Sequence, residues 1–128
     1  MTSATVVGAG PGGLWGAYQL AKRGVPTTLF EKNQELAVKV CGEAMDRIPP
    51  IERGVLYRCK GAELVVWPEA AEKPIGEFRI KADDLYQLDK SLFLEGLWDL
   101  CEDQGVEMHR GVAWQSDKQG SADPSRVL

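Results

Sequence analysis

Apolar positions at the start of this chain come in short runs whose period changes twice. Ala4–Val7 is a compact apolar stretch that predicts a strand. From Pro11 onward Leu14, Ala17, Tyr18 and Ala21 recur at helical spacing and predict a helix with one buried face. Lys22-Arg23-Gly24 is a good helix end, with cations and then a glycine. Thr27-Thr28-Leu29-Phe30 reads as a second strand and stops at Glu31. Strand, helix, strand in this order is a βαβ unit.

After Glu31 the pattern loosens. Residues 33–54 are loop-rich, with Cys41-Gly42-Glu43-Ala44 and then Pro49-Pro50. Val55–Arg58, Glu63–Trp67 and Gly76–Ile80 are predicted strands, separated by Gly and Pro signals. Glu77-Phe78-Arg79-Ile80 alternates, which predicts a half-exposed sheet. Phe93, Leu97, Leu100 and Cys101 form the stripe of a second helix, with Asp89 as N-cap and Gly105 as its stop. Val106–His109 reads as a strand returning to the parallel sheet, and Val112–Trp114 as a further short one. The stretch QSDKQGSADPSRVL is polar and aperiodic, so residues 115–128 are expected to be a disordered tail behind a domain of residues 1–114.

The turn between the first strand and helix carries the chemistry. It holds Gly8-x-Gly10-x-x-Gly13, the dinucleotide-binding spacing. Gly8 lets the chain turn tightly, Gly10 lets a pyrophosphate approach the backbone, and Gly13 lets the helix lie close to the sheet. Pro11 lacks an N–H and suits a helix start. The open N–H groups and partial positive charge of that helix end suit a diphosphate. Glu31 lies 18 positions after Gly13, near the expected offset of about 20. Its carboxylate can accept both ribose hydroxyls and would repel a 2′-phosphate. Lys32 beside it is a candidate cofactor contact, although by its chemistry it is a solvated surface charge.

The whole is an α/β layout: a Rossmann-like βαβ unit, a β-rich excursion at about residues 50–82, and an αβ return. That order favours FAD over NAD. A net charge of −4 with no basic cluster argues against a nucleic-acid partner. No apolar run is long enough for a transmembrane segment. Met-Thr-Ser-Ala runs straight into a strand, so no signal peptide is expected. Cys41, Cys59 and Cys101 are odd in number and unpaired in spacing, which points to reduced thiols in the cytoplasm, with no metal site. By chemistry alone Cys41 reads as a small buried residue. His109, the one histidine, has no evident triad partners and reads as structural or exposed.

Three segments together resemble the geranylgeranyl reductase family of FAD-dependent oxidoreductases, within the wider p-hydroxybenzoate hydroxylase-like group. They are the glycine motif through Lys32, the Val40-Cys41-Gly42-Glu43-Ala44 segment, and Tyr86-Gln87-Leu88-Asp89-Lys90-Ser91-Leu92-Phe93. The resemblance implies that Gly8, Ala9, Gly10, Pro11, Gly12 and Gly13 hold the pyrophosphate and Glu31 the ribose. It implies that Cys41, Gly42 and Ala44 lie along the flavin. Lys90 stands where the family usually has arginine, which keeps the charge and loses the planar fork. Trp15 is bulkier than expected one turn into the first helix.

The implied activity is hydride transfer from reduced FAD to isoprenoid double bonds. The electron donor would be NADPH or ferredoxin, and the work would be done at a membrane surface without a visible anchor. No catalytic acid or base is named, because the hard chemistry belongs to the cofactor. The chain stops before the Gly-Asp motif of the family's later part. It is therefore expected to be an incomplete portion that binds the ADP half of FAD weakly and does not catalyse alone. Two other readings remain open here: an aromatic-hydroxylating flavin monooxygenase fragment, and a non-catalytic adenine-nucleotide module.

Overall fold

The computed structural model describes residues 2–48 and 50–116, and the side chains of all of these except residues 80–84. The expectation of a disordered tail lies, from residue 117 onward, outside the described residues. The first sheet is parallel, in the order β1-β2-β6: β1 is Ala4–Val7, β2 is Thr27–Glu31 and β6 is Glu107–Arg110. α1, Pro11–Lys22, joins β1 to β2, and α2, Lys90–Asp103, leads into β6. The predicted βαβ unit and αβ return are therefore both present.

Alternation along the strands sets one face against the helices. Ala4, Val6, Thr27 and Leu29 are buried, whereas Val7 on the other face is exposed. α1 packs on β1 and β2 and beside α2, which reaches β6. The core between them contains Leu14, Ala17, Leu29, Phe93, Leu97 and Cys101. Both helices stop as the glycine signals predict. Gly24 has φ +82° and Gly105 φ +93°, a left-handed conformation suited to a residue without Cβ. The Val25 N–H donates to the Leu20 carbonyl and the Val106 N–H to the Cys101 carbonyl, closing a Schellman motif at each end. Asp89 caps α2 by accepting the Leu92 N–H at 3.2 Å.

The second sheet is antiparallel, β3-β5-β4, with β3 at Ala44–Met45, β4 at Val55–Val66 and β5 at Gly76–Leu88. Three of the sequence expectations change here. The two short strands predicted at Val55–Arg58 and Glu63–Trp67 are one long strand, because pairing with β5 carries the chain through Gly61 with a register slip between Cys59 and Gly61. The alternation at Glu77-Phe78-Arg79 does not produce a half-buried face, since all three residues are exposed. Val112–Trp114 is not a strand: Gly111, at φ +73°, takes the backbone out of the extended region at the end of β6, and the Val112 N–H makes a last bond to β2 at the Glu31 carbonyl, 2.9 Å away.

Cys101 gives the core a pH dependence. Its thiol is buried and donates to the Leu14 carbonyl at 3.1 Å. Burial pushes this thiol up to about 11 from 9.0, against a smaller lowering by the backbone at Tyr18. The folded state thus favours the neutral thiol. Its contribution is complete below the unfolded value and is lost as pH rises through the folded one. Urea midpoints taken from about pH 9 to pH 11 should fall by an amount worth about 2 kcal/mol. Cys101→Ala should lack that decline, and parallel slopes in the two proteins would show that the thiol is not desolvated.

Candidate functional site

A cleft of about 370 Å³ opens at the C-terminal ends of β1 and β2, where ligands bind in open α/β sheets. Gly8–Pro11 form one wall, Glu31 and Lys32 the end, and the loop around Leu36 together with Lys90 and Leu94 of α2 the other wall. Gly8 takes φ +102°, and its N–H donates to the Phe30 carbonyl at 2.8 Å, which fixes the turn against β2. A Cβ at Gly10 would meet nothing within 4 Å, so there is room above that backbone. A Cβ at Gly13 would overlap the Gly8 carbonyl oxygen, so this glycine sets how closely α1 approaches β1. No side chain caps α1 and no acidic residue lies in its first turn. Its N–H groups and positive dipole end therefore remain suited to an anion.

Glu31 is the most telling residue of the cleft. Its Oε2 is buried and has no hydrogen-bond partner among the described residues. A carboxylate oxygen in that condition lacks a donor, and a pair of ribose hydroxyls would supply one. A smaller recess of about 240 Å³ opens on the other side of Glu31, walled by Val7, Phe30, Ala113 and Trp114. The orphaned carboxylate oxygen and the uncapped helix end in one cleft are groups that an adenosine diphosphate could engage.

The structure brings Gly8, Ala9, Gly10, Pro11, Glu31, Lys32 and Lys90 to one cleft. Gly13 lies beneath it. Gly12 faces a separate groove of about 470 Å³, with Trp15, Met45, Ile48 and Phe93. The bulk of Trp15 is accommodated at this groove, where its ring stacks on Tyr18 with centroids 5.1 Å apart. Cys41, Gly42 and Ala44 are exposed and do not line the cleft, so Cys41 is not the buried residue its chemistry suggested. They are nevertheless held in place. Glu43 has φ +55°; its carbonyl accepts the Leu88 N–H at 2.7 Å and its carboxylate the Lys90 N–H at 3.2 Å. This ties the Cys-Gly segment to the start of α2, at Lys90 itself.

His109 stacks on Phe30 at 4.7 Å and pairs with Glu107, as befits a structural side chain. Among the described residues no cluster of His, Cys, Asp and Glu could hold a metal ion. No helix among them is long and apolar enough to cross a membrane. Sequence reasoning missed Arg110, which joins Glu95, Gln34 and Trp98 behind Glu31. Its partners lie up to 76 positions away, and no local pattern marks them.

Residues 6–57 match the model of the NAD(P)-binding Rossmann-like domain. Over 89 residues, 59% of its length, the chain is 35% identical to digeranylgeranylglycerophospholipid reductase of Methanocaldococcus jannaschii, and it spans 23% of that protein. A solved geranylgeranyl bacteriochlorophyll reductase-like protein of Thermoplasma acidophilum superposes with a TM-score of 0.67 and 26% identity, over 85% of this chain and 30% of that one. The flavin-dependent monooxygenase PieE, solved with FAD and substrate, shares the fold with a TM-score of 0.58 at 18% identity, over 85% of this chain and 23% of PieE. The chain thus spans about a quarter of the length of the curated relative it matches. In sequence and in fold the chain is similar to proteins named as geranylgeranyl reductases, over a Rossmann-type portion of each.

Proposed function

We propose that this chain forms the adenosine-diphosphate-binding portion of an FAD-dependent reductase acting on isoprenoid double bonds. The observation that carries the nucleotide part is the buried, donorless oxygen of Glu31 in a cleft that also contains the open N-terminus of α1. Gly8, Ala9, Gly10 and Pro11, with Gly12 and Gly13 at the helix start, would hold the pyrophosphate. Glu31 would accept the ribose hydroxyls, with Lys32 at the rim. Lys90 would add a cation from the opposite wall. Cys41, Gly42 and Ala44 would border the flavin end, held in place by the strained backbone and two hydrogen bonds of Glu43. Reduced FAD bound there would supply hydride to a carbon–carbon double bond. The isoprenoid part rests on the names of the relatives, one of which places geranylgeranyl chains on a glycerophospholipid. Such a substrate implies work at a membrane surface.

The nucleotide reading is tested by calorimetric titration of the purified chain with ADP and with 2′-phospho-ADP. The wild type should prefer ADP. Glu31→Gln should lose about 1.5–3 kcal/mol of ADP binding, roughly tenfold or more, because a charged acceptor is replaced by a neutral amide. It should also narrow the discrimination against the 2′-phosphate. Equal affinity of the two proteins for ADP would remove Glu31 from the ribose site.

A further inference from the structure

Arg110 is the last residue of β6 and stands opposite Glu31 in the parallel pairing. It does not line the cleft, yet its guanidinium is held by three partners. Nη1 donates to Glu95 Oε2 at 2.9 Å and Nη2 to Glu95 Oε1, giving a two-pronged pair with α2. Nε donates to the Gln34 carbonyl at 2.6 Å. The flat face lies over the Trp98 ring at 5.1 Å, and Trp98 is itself buried and donates from Nε1 to Glu102 at 2.7 Å.

The two residues that follow complete a clasp. Gly111 has φ +73°, and a Cβ there would overlap the Gln34 side chain. The Val112 N–H donates to the Glu31 carbonyl at 2.9 Å. Three consecutive residues therefore grip both ends of the segment from Glu31 to Gln34. That segment begins with the ribose-facing carboxylate and runs into the loop that forms one wall of the cleft.

We propose that Arg110 is a positioning residue for nucleotide recognition, holding the Glu31 carboxylate and the loop behind it in register for the ribose. This rests on the reading of Glu31 as the ribose acceptor. Only arginine supplies all three contacts at once: a fork for the carboxylate, a third N–H for the carbonyl, and a plane to stack on indole. Lysine would retain the charge and lose the geometry. Glu95 neutralises the guanidinium locally, and each partner holds the other in its charged form, Glu95 below the usual carboxylate range and Arg110 above the usual guanidinium one. The cation is thereby committed chiefly to Glu95, with Glu31 also within its electrostatic reach.

The experiment is a double-mutant cycle read with two ligands, ADP and 2′-deoxy-ADP, on the 128-residue chain. Wild type should favour ADP about tenfold, the size of one charge-assisted hydrogen bond. Arg110→Lys should lose most of that preference while binding 2′-deoxy-ADP nearly as before. Arg110→Lys combined with Glu31→Gln should bind ADP no more weakly than Glu31→Gln alone, because the arginine acts through the glutamate. Circular dichroism confirms the fold of each variant. If Arg110→Lys fails to fold, Glu95→Gln, which keeps the side-chain shape and removes the anchoring charge, should give the same pattern. Unchanged preference for ADP in a folded variant overturns the proposal, and so do strictly additive losses in the cycle. A wild type that binds both ligands equally, with Glu31→Gln indistinguishable from it, overturns the ribose reading itself and the proposal with it.

Discussion

Replacing Gly13 with alanine is expected to lower the stability of the chain by about 1–3 kcal/mol and to weaken ADP binding beyond measurement. The new Cβ would overlap the Gly8 carbonyl oxygen, stand 3.1 Å from the Gly8 carbonyl carbon and lie 3.6 Å from the Val6 side chain. The carbonyl has little freedom to move away. Gly8 is already at φ +102°, and its N–H is bonded to Phe30 on the neighbouring strand. The helix must therefore lift off β1. That disturbs Leu14 and Ala17, both 0% exposed, and carries the N–H groups of its first turn away from the cleft. Urea unfolding and ADP calorimetry on the same protein would show the two losses together. Gly16→Ala is the control, since a Cβ there meets nothing within 4 Å. At that interior helix position alanine should stabilise by up to about 1 kcal/mol. Equal behaviour of the two variants would mean that α1 does not approach β1 as closely as described.

Phe93→Ala should cost more stability than any other single truncation in α2, about 3–5 kcal/mol. Phe93 is 0% exposed and heads the fully buried side chains by size. Its backbone lies so close to Gly54 that a Cβ on that glycine would overlap it, and the Gly54 carbonyl in turn accepts the Asp89 N–H at 2.7 Å. The ring thus sits where the start of α2, the end of the loop before β4 and the groove beside Trp15 meet. Against a typical total of about 5–15 kcal/mol for a small domain, such a loss removes a large share of the stability. Phe93→Leu keeps most of the volume and should cost under about 1.5 kcal/mol. Denaturant midpoints that differ little between the Ala and Leu variants would show that α2 is loosely seated.

What the sequence made legible was local. The Gly8-x-Gly10-x-x-Gly13 turn, the stop signals at Gly24 and Gly105 and the Asp89 cap all act within a few residues, and each stands where its chemistry places it. The offset to Glu31 was readable because the intervening helix has a fixed length. The long β4–β5 pairing was not readable, because its continuity through Gly61 depends on hydrogen bonds to a strand about twenty residues away. Val112–Trp114 has strand-like composition, but Gly111 at φ +73° breaks the extended backbone just before it. The Arg110 clasp was invisible for the same reason, since its parts come from β6, α2 and the loop after β2. Cys41 is exposed, and Glu43 two residues on is a non-glycine residue in the left-handed region; composition gives no means to foresee either.

The β4 strand carries a consequence for the chain in solution. It forms the edge of its sheet among the described residues, and Leu64, Val65, Val66 and Trp67 at its far end are all exposed. Its charged residues, Arg58, Lys60 and Glu63, all precede that run, so no charge interrupts the final stretch. An unpaired backbone row beside contiguous β-branched and aromatic side chains is a template for strand addition from another chain, the geometry on which aggregates grow. The segment that widens this protein beyond a plain nucleotide unit is thus also one open to self-association at high concentration.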